Sequence, residues 1–525
     1  MMKLRLTATR LGVLLLAGLG AASGLGAGQE ASQRMTLETC LVRALEKNLD
    51  LRIQVLDPRI ADAGVTRASE KFLPTLSFGI GAESNRSASF SFLDAAESVI
   101  TRFDDYQAQF RQELPTGGSF SASLYNYKNE TNRNFQSINP RYGSQLLFAF
   151  SQPFLRNFGF RIPRKEILIA QQSRDQAEDA VKKAVLDTLY AAETAYWDLV
   201  FAGEDLEVKR QSVALARNLL DRNRKELEIG MLAPIEIVSA EAEVAAREAD
   251  ILQAEALVKS REDGLRALLD MRTPAGETPA PLVPADAPAP ETPAVSVESA
   301  LAAALSARPE LLSARTGVRS KDLELTYARN QLLPDLSFNL SYWSPGVSGT
   351  QILYQDDNPF SGVVVGTIAG QAADAMRDAF RFRYKNWTAG LTLTVPLNTV
   401  LTRAAAAQAG FDVERARLEL EKAEQRIILE VRDAVRDVET NAKRVAAYAA
   451  ALRLAEQKLD GEERKVKVGL STNYTLLQVQ RDLATAKSLH LRARIDSALS
   501  QARLDKAMGA SLERRNIRWT GPLEK

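Results

Sequence analysis

Few residues in this chain have side chains that commonly perform catalysis or bind metal ions. Its 525 residues include one histidine, His490, and one cysteine, Cys40. Histidine-based catalysis, Cys/His zinc sites and disulfide frameworks all need more of these residues. The segment around His490, KSLHLRAR, predicts a residue on a helix surface or in packing, and Cys40 lies in an amphipathic segment rather than in a lipid-attachment motif. We expect no catalytic residue, metal site or cofactor.

Carboxylates are the remaining candidates for chemistry. Glu241 and Glu243 lie in an AEAE run, which is most simply a solvent-facing helix surface. No carboxylate pair stands out from the charges that amphipathic helices normally carry. A carboxylate-based enzyme, such as a glycosidase, is therefore the weakest of three functional classes considered below.

Charge and hydropathy exclude two further classes of protein. The 67 Lys and Arg residues nearly balance the 66 Asp and Glu residues, whereas nucleic-acid binding usually requires a strongly basic face. We expect no nucleic-acid partner. No internal stretch has the roughly 20 apolar residues of a membrane-spanning helix, which excludes a polytopic helical membrane protein. Alternating membrane strands would escape a hydropathy average and are not excluded.

Three segments lie outside the regular patterns. Residues 1–28 have a basic start, an apolar stretch LGVLLLAGL and small residues after it, which predicts an export signal peptide. A single N-terminal anchor helix is the alternative. Residues 273–296 are rich in proline and alanine and predict an extended linker that divides the chain nearly in half. Residues 510–525 form a C-terminal tail.

The two halves of the chain repeat one pattern. At an offset of 260 residues, Leu73-Pro74 aligns with Leu333-Pro334, and at an offset of 239 residues Gly230 aligns with Gly469. We therefore divide the chain into a first repeat, residues 36–271, and a second repeat, residues 297–509. The predicted helices are residues 36–71, 163–229 and 231–271 in the first repeat, and residues 297–331, 401–468 and 471–509 in the second.

Each repeat also contains a region of strict alternation between apolar and polar residues. These strand regions lie at about residues 75–153 and 335–396 and hold most of the aromatic residues. Proline stands at the four expected transitions between helix and strand: Pro74, Pro153, Pro334 and Pro396. Four strands cannot close a membrane barrel, because the smallest have about eight. Strands in lipid would therefore require oligomerisation; a soluble β-sandwich is the alternative.

Two segments within the strand regions are additional to the four predicted strands. Residues 105–128 predict a hairpin around Pro-Thr-Gly-Gly. We expect this hairpin to extend the wall beyond the membrane or to lengthen an external loop, in preference to joining the barrel. Residues 345–385 predict a long irregular loop outside the membrane. The long helices alone would also fit a soluble coiled-coil rod.

The order helix, proline, strands, proline, long helix, glycine, helix resembles the TolC-type outer-membrane efflux proteins. The Leu-Pro pairs, Gln152-Pro153, Val395-Pro396 and the turns beginning Ile229-Gly230 and Val468-Gly469 carry the resemblance. It implies a mainly α fold with membrane β-structure, in which a homotrimer forms a 12-stranded β-barrel continuous with a 12-helix periplasmic α-barrel. It also implies outer-membrane lipid around the barrel, a periplasmic adaptor at the hairpin tips, and an inner-membrane RND, ABC or MFS transporter beyond the adaptor.

The same resemblance assigns roles to residues near the two turns. The adaptor-contacting residues would be Gly230, Met231, Leu232, Ala233, Pro234, Gly469, Leu470, Ser471, Thr472 and Asn473. The candidate periplasmic gate comprises Glu236, Ser239, Thr475 and Gln478. Here the chain departs from the family pattern: the second-turn positions that are acidic in well-known members are neutral, and Val466 and Ser471 replace the closing Tyr and Arg. Glu236 forms either a cation-attracting ring or a solvated helix surface.

The function expected from this sequence is a passive outer-membrane exit duct. It would conduct substrates from an adaptor and pump of a tripartite efflux or type I secretion system to the exterior, with most of the chain in the periplasm of a Gram-negative-type cell. The alternative is a soluble periplasmic coiled-coil adaptor or scaffold. The substrate is not encoded in any recognisable motif.

Overall fold

A computed structural model describes residues 33–90, 94, 96–272, 279–288, 296–515 and 517. The predicted signal peptide, residues 1–28, lies outside the described residues, as do much of the predicted linker and most of the predicted tail. No helix in the described part of the chain combines the length and hydrophobicity needed to cross a bilayer.

The first repeat begins with a short strand and three short helices, continues through four long strands and ends in a helical hairpin. Its elements are β1 Gln33–Met35, α1 Leu37–Lys47, α2 Leu49–Gln54, α3 Asp57–Ser69, β2 Thr75–Ala88, β3 Ser98–Glu113, β4 Ser119–Thr131, β5 Ile138–Pro153, α4 Lys165–Glu228 and α5 Pro234–Leu268.

A short strand in the linker precedes the second repeat, which has the same order with fewer long strands. Its elements are β6 Leu282–Pro284, α6 Val297–Ala307, α7 Pro309–Asn330, β7 Asp335–Tyr354, β8 Val364–Ile368, α8 Ala372–Phe380, β9 Asn386–Thr394, α9 Val400–Lys467, α10 Asn473–Met508 and α11 Ser511–Arg514.

The prediction of one continuous opening helix in each repeat is wrong. In the first repeat, the Asn48 side chain accepts a hydrogen bond from Leu51 N at 2.9 Å and starts a new helix, as asparagine at an N-cap commonly does. In the second repeat, the break falls at Arg308, which has an extended backbone before Pro309. Proline disfavours helical geometry in the residue before it and cannot donate the helical hydrogen bond.

The sheet has six long antiparallel strands in the order β2-β3-β4-β5-β7-β9, with β8 pairing the outer part of β7. The expected four-strand plan is therefore corrected. The predicted hairpin 105–128 lies within β3 and β4, which are inserted between β2 and β5. Sequence alternation identified these strands but did not specify their partners, because period-two patterning is the same in an appendage and in a wall.

The two faces of this sheet differ in polarity. One row of paired positions crosses all six strands with apolar side chains: Leu76, Phe110, Ala122, Phe148, Tyr342 and Trp387. The adjacent row on the opposite face is mostly polar: Thr75, Arg111, Ser121, Ala149, Ser341 and Thr388. At β2 the apolar face is open to solvent in the single chain, with Phe78 exposed to 75%, whereas the outer part of this face over β5 and β7 is covered by a short helix.

The prediction of an irregular loop over residues 345–385 is also wrong. Strand β7 continues to Tyr354, and the segment then includes β8 and helix α8. Helix α8 packs on β5 and β7 where Gly346 has no side chain, since a Cβ there would lie 2.0 Å from the carbonyl oxygen of Ala375. Ser144 and Ser344 are buried on the same face. Small residues thus provide the site for a helix that has too few residues to give a clear periodic signal.

The long helices form a layer in the order α5, α4, α10, α9. Helices α4 and α9 have 64 and 68 residues, which corresponds to roughly 100 Å each at the helical rise. Helix α4 packs against both α3 and α5, and helix α9 packs against both α7 and α10. Two shorter helices therefore accompany each long one.

The largest apolar core lies where the helical hairpins meet the short helices, and Tyr196 is at its centre. The Tyr196 hydroxyl donates toward Met35 O at 3.2 Å and Asp286 Oδ2 at 3.0 Å, and it accepts from Ala285 N and Asp286 N, each at 3.2 Å. These contacts hold β1 beside β6 as a two-stranded parallel sheet. The described part of the linker is therefore packed into the protein, which its proline content did not predict.

Pro74, Pro153, Pro334 and Pro396 all lie at ends of the long strands. Pro74 and Pro334 directly precede β2 and β7, Pro153 is the last residue of β5, and Pro396 follows β9. Leu73, before Pro74, has the extended backbone that a following proline favours.

Candidate functional site: the tips of the helical hairpins

The two hairpin tips have the same backbone geometry. Gly230 and Gly469 have φ values of +71° and +73°. Met231 N donates to Glu226 O and Leu470 N donates to Lys465 O, both at 2.9 Å. This is the hydrogen-bond pattern that ends helices through a left-handed residue, for which glycine carries the smallest steric penalty.

The returning helices start differently in the two tips. Helix α5 begins with Pro234, whose missing N–H is not needed in the first turn. Helix α10 begins after Thr472, whose hydroxyl accepts from Thr475 N at 3.2 Å and lies 2.9 Å from the Thr475 hydroxyl. The repeats therefore share the reversal but have diverged in the residues that follow it.

Apolar side chains project from both tips into solvent. Met231 is 77% exposed and Leu470 is 78% exposed. The neighbouring large side chains that are also exposed are Ile229, Ile235, Val238, Val468 and Tyr474. A group of large apolar side chains exposed at one end of a protein is typical of an interaction surface.

The structure separates one of the predicted tip residues from the others. Ala233, Pro234 and Thr472 are exposed and Leu232 and Ser471 are half-buried, whereas Asn473 is buried. Asn473 Nδ2 donates to Asn223 Oδ1 at 2.9 Å, and its own Oδ1 accepts from Arg222 Nη2 at 3.2 Å. It joins α10 to α4 and is not part of the exposed tip surface.

The four candidate gate residues lie in the first two turns of the returning helices. Glu236 is half-buried and Ser239 is exposed on α5, while Thr475 and Gln478 are exposed on α10. Beneath them an apolar cluster joins α4, α5 and α10. Its buried members are Ala216, Leu219, Leu220, Ala240, Val244, Leu476 and Leu477.

A polar cluster that the sequence did not reveal lies two turns further from the tips. Arg247, with a side chain 6% exposed, donates to Glu243 Oε1 at 2.8 Å, to Ser212 O at 2.9 Å and to Leu477 O at 3.0 Å. Arg481 of α10 also pairs with Glu243. We call Glu243, Arg247 and Arg481 the interhairpin cluster, because it connects α4 and α5 of the first repeat with α10 of the second.

Hydrogen bonding determines the ionisation of two carboxylates near the tips. Burial opposes ionisation of Glu243, but hydrogen bonds from Arg481 and Arg247 outweigh it and hold the pKa of Glu243 below its usual value. The Ser471 hydroxyl and then Lys465 donate to Glu462 and lower the pKa of that carboxyl. The sequence predicted that Glu243, in the AEAE run, faces solvent. That prediction is wrong, because Glu243 is half-buried between Arg247 and Arg481.

Among the described residues, no group of three or more His, Cys, Asp or Glu side chains is placed to hold a metal ion. Burial, followed by the charge of Glu193, raises the pKa of Cys40 to about 12, which makes its thiol a poor nucleophile. A cavity of about 590 Å³ lies beside the interhairpin cluster and is lined mainly by charged and small residues.

An antiparallel sheet with one apolar and one polar face, continuous with two hairpins whose longer helices span about 100 Å, is the architecture found in outer-membrane channels that have a helical tunnel. Residues 300–510 match the family model "Outer membrane efflux protein". This match is to the second repeat, and the chain as a whole has the TolC-type fold, as the resemblance in the sequence predicted.

Relatives and solved structures support this assignment. The outer membrane efflux protein BepC of Brucella suis is 23% identical over 324 residues, which cover 62% of this chain and 63% of BepC, just under two thirds of its length. The outer membrane protein TolC of Vibrio cholerae is 24% identical, over 65% of this chain and 73% of TolC. The outer-membrane channel OprN has a TM-score of 0.65 at 16% identity, covering 90% of each chain.

Proposed function

We propose that three copies of this chain form the outer-membrane exit duct of a tripartite efflux or type I secretion system. The observation that carries the proposal is the continuity, within one chain, between a two-faced sheet and helices long enough to cross much of the periplasm. The apolar face contacts outer-membrane lipid and the polar face lines the pore. Most of the chain then lies in the periplasm.

Unpaired edges on both layers support assembly into a closed ring. In the single chain, β2 and β9 each pair on one side only, and α5 and α9 are the outermost long helices. Large apolar residues are exposed on these two helices, including Leu252 on α5 and Phe411 and Leu454 on α9. A neighbouring copy would cover both edges at once. Three copies supply the twelve helices of the expected periplasmic tunnel.

The exposed apolar tips are the proposed docking surface for a periplasmic adaptor. This surface comprises Met231, Leu470 and the residues around them, at the end of the helices farthest from the sheet. The adaptor would link the duct to an inner-membrane RND, ABC or MFS transporter. That transporter supplies the energy, so the chain itself needs no catalytic group.

The proposal is tested by locating the protein in cell fractions and by substituting the exposed residues of the hairpin tips. We expect the protein in the outer-membrane fraction as a heat-modifiable trimer that conducts ions in planar bilayers. Met231→Asp and Leu470→Asp together should abolish adaptor crosslinking and export while preserving the trimer. Leu56→Asp, an exposed apolar position on the short helices, serves as the matched control. Monomeric protein in the soluble periplasmic fraction would contradict the proposal and support the scaffold alternative.

Glu236 is the proposed cation-selecting residue of the gate. It is the acidic residue in the first turn of α5, and three copies in a ring would attract cations to the entrance. We expect Glu236→Gln to lower single-channel conductance and cation preference in planar bilayers. Glu248→Gln, which removes the charge of an exposed glutamate further along α5 and outside the gate, is the control. Unchanged conductance and selectivity in Glu236→Gln would show that Glu236 is a solvated helix residue.

A further inference from the structure

The inserted hairpin formed by β3 and β4 is patterned for a position in the membrane wall. Phe110 of β3 and Ala122 of β4 continue the apolar row from Leu76 to Phe148, and Arg111 and Ser121 continue the polar row on the other face. A hairpin projecting into water would not need one continuous apolar face. The hairpin therefore has the two environments, lipid and pore, that its neighbours have.

The turn of this hairpin lies at the helical end of the sheet. The turn follows Leu114, and Gly117 has a φ of +93°. Thr116 O accepts from Gly159 N and from Gln152 Nε2, both at 3.2 Å. Gln152 is the second-last residue of β5, and Gly159 lies in the segment that joins β5 to α4. The hairpin consequently runs the full height of the sheet and returns, rather than ending in an external loop.

The sheet edges show what must pair with the six strands. An open strand edge in hydrocarbon leaves backbone N–H and C=O groups without partners, and each such group costs several kcal/mol. Strand β2 is bonded only to β3, and β9 only to β7. Another antiparallel strand would supply the missing hydrogen-bond partners at each edge. In further copies of this chain, β9 can pair with β2 and β2 can pair with β9.

We propose that the trimer closes an 18-stranded barrel, with the β3–β4 hairpin of every copy in its wall, instead of the 12-stranded barrel expected for the family. This inference rests on the proposed trimeric duct. It assigns β2 and β9 as the closing interfaces between copies. It also places the hairpin in the membrane wall, whereas the sequence favoured an extension of the wall beyond the membrane or a longer external loop.

Eighteen strands are geometrically compatible with the helical layer. Strands about 4.8 Å apart and tilted by about 40° each occupy about 6 Å of circumference, so eighteen strands span roughly 110 Å and twelve about 75 Å. Twelve helices with axes about 9 Å apart also span roughly 110 Å. The wider barrel can therefore be joined to the helical layer without a change in circumference, and the case for eighteen strands rests on the pairing of β3 and β4 within the sheet.

The wider barrel assigns size selection to the periplasmic end of the duct. Barrel diameter grows roughly in proportion to strand number, so the lumen should be about 1.5-fold wider than in a 12-stranded barrel. Barrels of this size leave an aqueous channel. Bulky hydrophilic cargo that passes the hairpin tips would meet no narrower point before the exterior.

Two pairs of cysteine substitutions distinguish the two barrels. Ser77 of β2 pairs with Gln109 of β3, and through Ser123 its row reaches Leu147 of β5. In the 18-stranded barrel Ser77 and Leu147 are three strands apart, roughly 14 Å, too far for a disulfide. If the hairpin were outside the wall, β2 would pair β5 directly and bring these residues together. The Cys40→Ala background removes the chain's own cysteine.

The crosslinks are measured in isolated outer membranes by mass spectrometry of tryptic peptides. We expect the Ser77→Cys/Gln109→Cys pair to form a disulfide within one chain and the Ser77→Cys/Leu147→Cys pair to remain reduced. Cryo-electron microscopy of the purified trimer should show eighteen strands in cross-section. A disulfide in the Ser77→Cys/Leu147→Cys pair, a trimer with twelve strands, or a dimer closing twelve strands would each overturn the inference.

A deletion separates the failure of this inference from the failure of the proposed function. Residues 98–131 begin and end at the external side of the sheet, so their removal lets β2 pair β5 in matching register. The deletion variant should still form an outer-membrane trimer, with twelve strands and a barrel about two thirds as wide. A wild-type protein that is absent from the outer membrane contradicts the duct itself. A wild-type trimer with the same strand number as the deletion variant contradicts only the wider barrel.

Discussion

The two ends of the helical hairpins are held together by different kinds of contact. At the end near the sheet, Tyr196 lies in a core whose other members are almost entirely apolar, and its hydroxyl has four polar partners. Near the tips, a smaller apolar cluster is accompanied by the interhairpin cluster and the Asn223–Asn473 bond. Water can replace a polar contact at lower cost than it can replace apolar packing.

This difference predicts which end of the proposed duct moves. An apolar core has one well-packed arrangement, and separating its helices exposes the whole buried surface. Hydrogen bonds and ion pairs between α5 and α10 can be exchanged for water as the helices part. We therefore expect the sheet end to remain rigid while the tips open. Four predictions test this contrast, in decreasing order of expected effect.

The largest effect is expected at the rigid end. Tyr196→Ala should destabilise the protein by about 3–5 kcal/mol, because it removes a fully buried aromatic ring and leaves a cavity. It should also release β6 from β1. Thermal unfolding of the purified protein, followed by circular dichroism, measures the loss. Tyr190→Ala, a half-buried tyrosine on the same helix, is the control and should cost much less.

The next effect is expected at the interhairpin cluster. Arg247→Ala should cost about 3 kcal/mol, since removal of one buried charged partner leaves the others incompletely paired. It should also raise the open probability of the channel, which Tyr196→Ala should not do in the molecules that remain folded. Single-channel recording measures this. Arg217→Ala, which removes the exposed pair with Glu248, should change neither quantity measurably.

A pH dependence should follow from Glu243. Its pKa is lowered in the folded protein, so its stabilising contribution is present above the ordinary carboxyl pKa and is lost as the pH falls through the lower, folded value. We expect the channel to open increasingly as the pH falls below the ordinary glutamate pKa of about 4.3, because the contribution of Glu243 begins to be lost there and is fully lost below its lower, folded pKa.

Glu243→Gln should remove this dependence and leave the channel more open at neutral pH. Asp250, which lines the neighbouring cavity, is the control: Asp250→Asn should keep the acid response. If the two variants responded identically, the acid response would arise from another group.

The smallest effect is expected at the turns. Gly230→Ala and Gly469→Ala should each cost about 1 kcal/mol, from placing an L-residue in the left-handed region. The cost is confined to the backbone, because a Cβ at either position would have no neighbour within 4 Å. Gly461→Ala, in the body of α9 and equally unobstructed, should instead stabilise by up to about 1 kcal/mol. Denaturant unfolding distinguishes the opposite signs.

The sequence predicted the parts of this fold that depend on local patterns. The long helices, the glycine turns and the prolines at the strand ends have signals in consecutive residues, and the TolC-type fold class is confirmed. The arrangement of β3 and β4 could not be predicted, because a strand's alternation does not identify its neighbour. Arg247 was missed for a similar reason: an arginine on an amphipathic helix is usually solvated, and only the packing of three helices buries this one.

The pairing of β1 with β6 has a consequence for the order in which the core forms. Residues 33–35 are synthesised early, but their partners, residues 282–284, follow roughly 250 residues later. At a synthesis rate of 5–20 residues per second, this interval lasts about 10–50 seconds. During that time β1 has no strand partner and Tyr196 lacks its contacts with Ala285 and Asp286. The first repeat therefore cannot complete its core alone, and a fragment ending before the linker should be more sensitive to proteolysis than the full chain.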